Sequence, residues 1–235
     1  MNEWRIQQVA PAALTQPQWQ AIHALAVTLR KESLPDDLPP TLEEVIQSWS
    51  IHPPVGEERA WVAWDMQASP EAPRAIGYNR STILHMEENA HLAQAYVAVH
   101  PAVRRQGLGR RLFASGVAFA QETGRRLIIV ESNSNCPAGG AFLQAAGAEK
   151  GLSMDVVQLD LQEANHALLR TWIERAGERA TTFEIGCWDG PYPEEALEQV
   201  GKVKTAMDEA PMQDLDIEDF KWTPEVLRQL DENMV

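Results

Sequence analysis

Between Tyr96 and Leu112 the chain reads Y-V-A-V-H-P-A-V-R-R-Q-G-L-G-R-R-L, and here residue type and spacing point to a chemistry. A short β-prone run, Val97-Ala98-Val99, is stopped by Pro101, and a turn carrying Arg104-Arg105-Gln106-Gly107-Leu108-Gly109-Arg110 opens directly into a helical pattern. A helix start leaves backbone N–H groups without intrahelical partners and adds the positive end of the helix dipole, so an anion docks there. The two glycines let backbone approach a ligand where a side chain would collide. The wording of the loop separates the candidate anions. A Walker loop needs Gly-Lys-Ser or Gly-Lys-Thr, which does not follow Gly107, and a dinucleotide fingerprint needs a third glycine where Arg111 or Leu112 stands.

The pattern of Arg or Gln, two residues, Gly, one residue, then Gly or Ala, behind a V-x-V strand, resembles the acyl-CoA loop of the GNAT N-acetyltransferase superfamily. Arg104, Gly107 and Gly109 fill its three positions, with Val97 and Val99 upstream. The chain downstream resembles the family's next block. A helical pattern (Leu112, Phe113, Gly116, Phe119, Ala120) closes at Thr123-Gly124 and leads to a β-rich run, Leu127 to Val130. Then come Asn133-Ser134-Asn135-Cys136-Pro137, a short helix from Ala138 to Ala146, and Gly147. The resemblance implies acetyl-CoA as co-substrate, with no metal, and a primary amine of a small molecule as acceptor, acetylated by direct transfer. It implies that Val97, Ala98 and Val99 pair with the pantetheine arm, a backbone N–H near Val97 facing the thioester oxygen. Arg104, Arg105, Gln106, Gly107, Leu108, Gly109 and Arg110 would hold the pyrophosphate. Asn135 is either a pantetheine contact or a turn former satisfying local backbone.

The acid and base are harder to place. Family members often carry Glu or His on the fourth strand, where this chain offers Ala93 and Ala95. A tyrosine that protonates the departing sulfur often precedes Gly-Phe in the next helix; here that place holds Leu143 beside Phe142, and Ala148 replaces the Phe. Glu131, at the end of the fifth strand, is the remaining candidate base, its alternative being a surface glutamate. Glu87, Glu88 and His91 are either a polar turn or groups acting through water. Tyr96, opposite in parity to Ala95, is expected to pack against a helix. An intact loop without the usual acid and base fits two readings, an active N-acetyltransferase or a silent acetyl-CoA-binding domain that supports a partner domain.

A net charge of −14 argues against nucleic acid or an anionic membrane as partner, since phosphate affinity needs cationic neutralisation. Six arginines (104, 105, 110, 111, 125 and 126) nevertheless group near the loop in sequence, either meeting the CoA phosphates or solvating a helix face. The opening Met1-Asn2-Glu3-Trp4-Arg5 lacks a signal-peptide pattern and no stretch has the apolar length of a membrane span, which predicts a cytoplasmic protein. Cys136 and Cys187 form no ligand cluster; Cys136 is either a reactive thiol near the cofactor or an inert one.

The elements that must position this loop follow from periodicity. Trp4 to Val9 reads as a strand, Pro17 to Lys31 as a helix with Trp19, Ile22, Leu25, Ala26 and Leu29 on one side, and Thr41 to Trp49 as a helix opened by a Thr41/Glu44 capping box. Arg59 to Met66, Ala75 to Leu84, Leu92 to Val99 and Gly151 to Leu161 read as strands. The order is that of the GNAT fold, an α/β (mixed α+β) arrangement with a central mixed sheet flanked by helices, here spanning residues 1–162.

Residues 163–181 predict a connecting helix with Leu168, Leu169, Trp172, Ile173 and Ala176 at helical spacing, followed by a strand from Thr182 to Trp188 and a turn at Asp189-Gly190-Pro191. Glu198 to Leu215 can then be laid over Ala21 to Leu38, matching Thr28 with Thr205, Glu32 with Glu209 and Asp37-Leu38 with Asp214-Leu215; Thr223-Pro224-Glu225 echoes Thr41 to Glu44. Trp188 to Glu195, Asp208 to Pro211 and Asp214 to Asp219 resemble the join in tandem GNAT proteins, including relatives of mycothiol synthase. Residues 182–235 are therefore expected to be a partial second GNAT-like unit, either a fragment of a tandem protein or a half-domain packed on the first. Its acids form a solvated face or collect a cationic amine. The expected partner is a second copy in a homodimer or a partner GNAT-like domain.

Overall fold

The computed structural model describes residues 4–51, 53, 55–182, 184, 186–208 and 212–232. In chain order the elements are β1 (Trp4–Val9), α1 (Gln16–Ser33), α2 (Leu42–Ser50), β2 (Gly56–Asp65), β3 (Ala75–Leu84), β4 (Leu92–Val99), α3 (Leu108–Glu122), β5 (Leu127–Val130), α4 (Pro137–Ala145), α5 (His166–Arg179), α6 (Leu197–Asp208) and α7 (Pro224–Glu232). The strands lie side by side in the order β1-β2-β3-β4-β5. The first four pair antiparallel and β5 runs parallel to β4, a direction that requires the α3 crossover between them. This is the mixed sheet flanked by helices that the sequence predicts.

One face of the sheet buries against α1 and α2. Trp19, Ile22 and Leu25 of α1 and Val45 and Trp49 of α2 pack on Val62, Trp64, Tyr78 and Ala98, with Ala26 and Leu29 partly buried beside them. Both helices start on capping boxes, Thr15 with Gln18 and Thr41 with Glu44, each of which satisfies N–H groups that the first turn leaves open. The other face buries against α3 through Leu108 and Leu112 on Ile76 and Ala63, and through Phe119 on Ile83 and Ala93. The helix is also pinned by a polar contact in this core. Asn79 Nδ2 donates to the Leu112 carbonyl at 2.9 Å, and Ser81 Oγ donates to Asn79 Oδ1 at 3.1 Å.

The strand expected from Gly151 to Leu161 does not form; Val156, Val157, Leu159 and Leu161 stand exposed. Alternating apolar residues need a ladder partner, and β5 offers an edge of four residues. The segment is held elsewhere, through Gly151 O accepting from Asp214 N at 3.2 Å and Gln158 donating to Asp37 at 2.7 Å. The helix expected after it does form, α5, capped by Asn165, but Leu168, Leu169, Trp172 and Ile173 remain exposed. Of the strand expected over 182–188, residues 183 and 185 lie outside the described residues and the rest are irregular.

The α6–α7 pair repeats local details of α1–α2. Thr28 and Thr205 each donate to the carbonyl four residues back, at 3.0 Å in both cases. Thr41 and Thr223 each accept from the third N–H of a nine-residue helix, at 3.2 and 3.3 Å. The Glu32–Glu209 correspondence and the join phrase at 208–211 fall on residues 209–211, outside the described residues. The segment from Met212 to Trp222 docks on the turn before β4. Asn89 exchanges two 2.8 Å hydrogen bonds with the backbone of Glu218, Asp216 accepts from Arg126 at 3.0 Å, and Lys221 pairs with Glu88 at 2.7 Å. No helix among the described residues is long and apolar enough to cross a membrane.

Candidate active site

The β4–β5 ladder ends at Ala95 and Val130, while β4 continues for four more residues to Val99. Past that pair the two strands no longer bond, so a gap opens between them. Backbone direction alternates along β4. His100 N–H donates to Ile76 O on β3 at 2.9 Å, which turns the even residues toward β3 and the odd ones, Val97 and Val99, toward the gap. The Val99 carbonyl is taken by Arg104 Nε at 3.0 Å. Val97 keeps an N–H and a C=O facing the gap, so the strand edge there is free to pair with an extended ligand. A cavity of about 40 Å³ lies between the strands and α4, lined by Ala95, Val97, Val130, Glu131, Phe142 and Leu143 among others.

The same gap leads to the start of α3. Gly107 is the N-cap, at φ +85°, a left-handed conformation that costs any residue with a Cβ, and Arg105, two residues before it, is also left-handed at φ +64°. No side chain caps this helix, and its first backbone acceptor, Gly107 O, is taken by Arg111 N. The N–H groups of Leu108, Gly109 and Arg110 therefore point outward at the positive end of a fifteen-residue helix with no acid in its first turn. A Cβ on Gly107 would meet nothing within 4 Å, so the space over the loop is open.

The side chains divide the expected site. Arg104 turns inward, both terminal nitrogens 2.5 Å from the carboxylate of Glu32 on α1, an ion pair that holds the Glu32 carboxyl below its usual range. Arg105 and Arg110 are exposed and make no ion pair with the described residues, leaving their charge for a ligand. Arg111 stacks on Trp4, 4.7 Å from the ring centroid. Arg125 and Arg126 do not belong to the loop cluster. They follow the far end of α3, where Arg125 donates to Leu84 O and Ala90 O and Arg126 to Asp216. Asn135 Nδ2 donates to Ser33 O at 2.8 Å, so the asparagine ties the β5–α4 turn to the end of α1. Cys136 lies near the Glu32–Arg104 pair, and burial pushes its thiol up, with Glu32 adding to the shift, which disfavours a thiolate.

Glu131 is the carboxylate on the cavity wall, and Leu143 fills the α4 position at which the family resemblance would put a tyrosine. Glu88 is committed to Lys221, and His91 contacts the carbonyl of Asp216 at 3.0 Å, so the turn before β4 serves docking. Tyr96 does not pack against a helix. It is half-exposed, with its ring stacked on Tyr78 of β3 at 5.8 Å. Parity gave its face of the sheet; that β5 stops one pair short of it is a register fact with no local signal.

Residues 19–148 match the acetyltransferase (GNAT) family. No curated protein matches the chain. Among solved structures, a tandem GNAT protein from the clavulanic acid biosynthesis pathway is similar over 98% of this chain and 66% of its own, with 20% identity and a TM-score of 0.61. That likeness runs through α5, α6 and α7. An aminoglycoside acetyltransferase from an uncultured soil metagenomic sample, solved with sisomicin, is similar over 67% of this chain and 97% of its own, with 17% identity and a TM-score of 0.48. An integron cassette protein from the mobile metagenome of V. cholerae is similar over 72% and 97%, with 12% identity and a TM-score of 0.48.

Proposed function

The chain belongs to the GNAT acetyltransferase family, and from that premise we propose that it transfers an acetyl group from acetyl-CoA directly to a primary amine of a small molecule. The observation that carries the reading is the continuity between the β4–β5 gap and the uncapped start of α3. A ligand with a pyrophosphate at one end and an extended amide-bearing arm at the other fits it. The outward N–H groups of α3, with Arg105 and Arg110, meet the phosphates, and the Val97 and Val99 edge pairs with the arm.

In the transfer, Val97 N–H donates to the thioester oxygen and stabilises the charge that grows there. The neutral amine nitrogen attacks the carbonyl carbon, a C–N bond forms and the C–S bond breaks. The amine proton passes to Glu131, directly or through one water. With Leu143 where an acid would stand, the sulfur leaves as thiolate and takes its proton from solvent. An alkyl thiolate is a weak enough base to leave without a general acid.

The absence of a tyrosine in α4 favours one alternative, a silent acetyl-CoA-binding domain that supports a partner domain. Thiol release with a panel of primary amines, set beside acetyl-CoA binding by calorimetry, decides. Turnover with any of them supports the transferase, and tight binding with none supports the silent domain. We further propose that residues 1–162 form the transferase unit, 163–181 the connecting helix and 182–235 part of a second unit. The shared threonine contacts of α1–α2 and α6–α7 support that division. The strongly acidic composition supports an amine as acceptor over a nucleic acid, and a cytoplasmic setting is the one we assign.

A further inference from the structure

Four aromatic rings cross the α1/α2 face of the sheet in sequence and end at the β4–β5 gap. Trp19 of α1 meets Trp49 of α2 edge to face at 6.0 Å, and Trp49 meets Tyr78 of β3 at 5.2 Å and 66°. Tyr78 meets Tyr96 of β4 at 5.8 Å and 25°, which makes the last contact a stack. The first three rings are buried, whereas Tyr96 is 53% exposed. Tyr78 therefore covers one face of the Tyr96 ring and leaves the other open. The Tyr78 phenol is locked in its protonated form, chiefly by burial, so this support is neutral.

The position of Tyr96 gives the open face a use. It is the first β4 residue beyond the last β4–β5 pair, as Glu131 is the residue that follows the end of β5, so the two flank the mouth of the gap. Two cations of this face, Arg80 and Arg30, are engaged among the described residues. Arg80 is held by Glu58 at 2.9 and 3.1 Å and by the Ser48 carbonyl, and Arg30 by Asp37 at 3.0 Å. Glu131 makes no ion pair with the described residues. The mouth thus presents an aromatic face and a carboxylate that makes no ion pair with the described residues, a combination that attracts a positive group and repels an anion.

We propose that Tyr96 is the specificity-determining wall of the acceptor site, receiving a cationic amine on the open face of its ring with Glu131 as counter-charge. The inference rests on the acetyltransferase reading for the identity of the site, but it is a statement about binding. The ring carries the interaction and the hydroxyl does not. An amine held there as ammonium loses one proton to water before it attacks, which leaves Glu131 to take the second as the C–N bond forms.

The chain has three tyrosines, Tyr78, Tyr96 and Tyr192, so protein labelled with 3-fluorotyrosine gives three fluorine resonances, and Tyr96→Phe identifies the one from Tyr96. Titration with n-hexylammonium is expected to move the Tyr96 resonance saturably and leave Tyr192 in place, whereas 1-hexanol moves neither. A Tyr96 resonance unmoved by hexylammonium, or moved equally by hexanol, overturns the proposal. Where hexylamine is turned over, Tyr96→Leu should raise its KM about tenfold and leave acetyl-CoA affinity unchanged, with Tyr96→Phe close to the parent. An equal loss in both variants overturns the ring's role. Binding at Tyr96 with no acetyl transfer to any amine of the panel refutes the transferase reading alone; turnover with a silent Tyr96 resonance refutes this proposal alone.

Discussion

Arg104 and Glu32 face each other fork to fork, each terminal guanidinium nitrogen 2.5 Å from one carboxylate oxygen. The arginine that opens the loop pattern is thereby a strut between the loop and the last turn of α1. Both side chains are about three-quarters buried, at 23% and 26% exposure, so Glu32→Gln should cost about 1–2 kcal/mol. The sign with pH follows from the depressed Glu32 carboxyl. Its contribution is fully present above the ordinary value of 4.5 and is lost as pH falls through the lower folded-state value. Urea unfolding of the parent and Glu32→Gln should differ fully at pH 7 and converge below pH 4.5. A difference that stays constant across this range would remove the strut.

Gly107 tests the anion site. At φ +85°, Gly107→Ala should cost about 1–2 kcal/mol of stability through backbone strain and retain acetyl-CoA binding. Gly107→Glu carries the same strain and adds a negative charge over the N–H groups of α3, with no protein atom within 4 Å to clash. Calorimetry should find its acetyl-CoA affinity reduced about a hundredfold or more, with circular dichroism unchanged. Equal affinity in the two variants would move the pyrophosphate away from this loop.

What the sequence made legible is local. The bounds of β3, β4 and β5 coincide with the expected strands because alternation and flanking turn residues are local signals, and the Thr41/Glu44 box marks α2 for the same reason. What it hid depends on long-range partners. The engagement of Arg104 by Glu32 joins residues 72 apart, and that of Asn135 by Ser33 joins residues 102 apart. Arg125 and Arg126 look like loop residues only in sequence; α3, about 22 Å long, separates them from Gly107. The run from Gly151 to Leu161 has a strand's alternation, but a strand also needs an edge to pair with, and no periodicity reports that.

Glu131 is the test of the proton's destination. Glu131→Gln keeps the shape of the cavity wall and removes the proposed base, so kcat should fall about a hundredfold while acetyl-CoA affinity stays within about twofold. On the proposal that Glu131 is also the counter-charge to the amine, the acceptor KM should rise as well. Parent-like kcat in the Gln variant would take Glu131 out of the base role and leave solvent as the proton's destination.

Gly116 lets α3 approach the sheet. A Cβ there would overlap Ser81 Oγ and lie 2.7 Å from Asn79 Nδ2, both side chains being fully buried. Gly116→Ala should therefore destabilise by about 1–3 kcal/mol despite the better helix propensity of alanine. Adding Ser81→Ala removes one of the two clashes and should recover part of the loss in urea unfolding. A stabilised single variant would mean that the helix shifts without cost and that the Asn79 bond to Leu112 does not fix its height.

Asn89 joins the C-terminal segment to the turn before β4 by a two-bond ring, its amide both donating to and accepting from the backbone of Glu218 at 2.8 Å. It is buried and sits at φ +60°, which asparagine tolerates and alanine does not. Asn89→Gly keeps the backbone conformation and deletes both bonds, so hydrogen exchange at the Glu218 amide should accelerate about ten- to a hundredfold, corresponding to about 1–3 kcal/mol. Of the flanking pairs, Asp216 with Arg126 is exposed on both sides and Lys221 reaches the buried Glu88 from solvent, so neither should hold the segment by itself. Asn89→Ala should show the same exchange and a further loss of about 1 kcal/mol from strain. Unchanged exchange at Glu218 in the Gly variant would transfer the docking energy to Asp216 and the contact of Leu215 with Gly151.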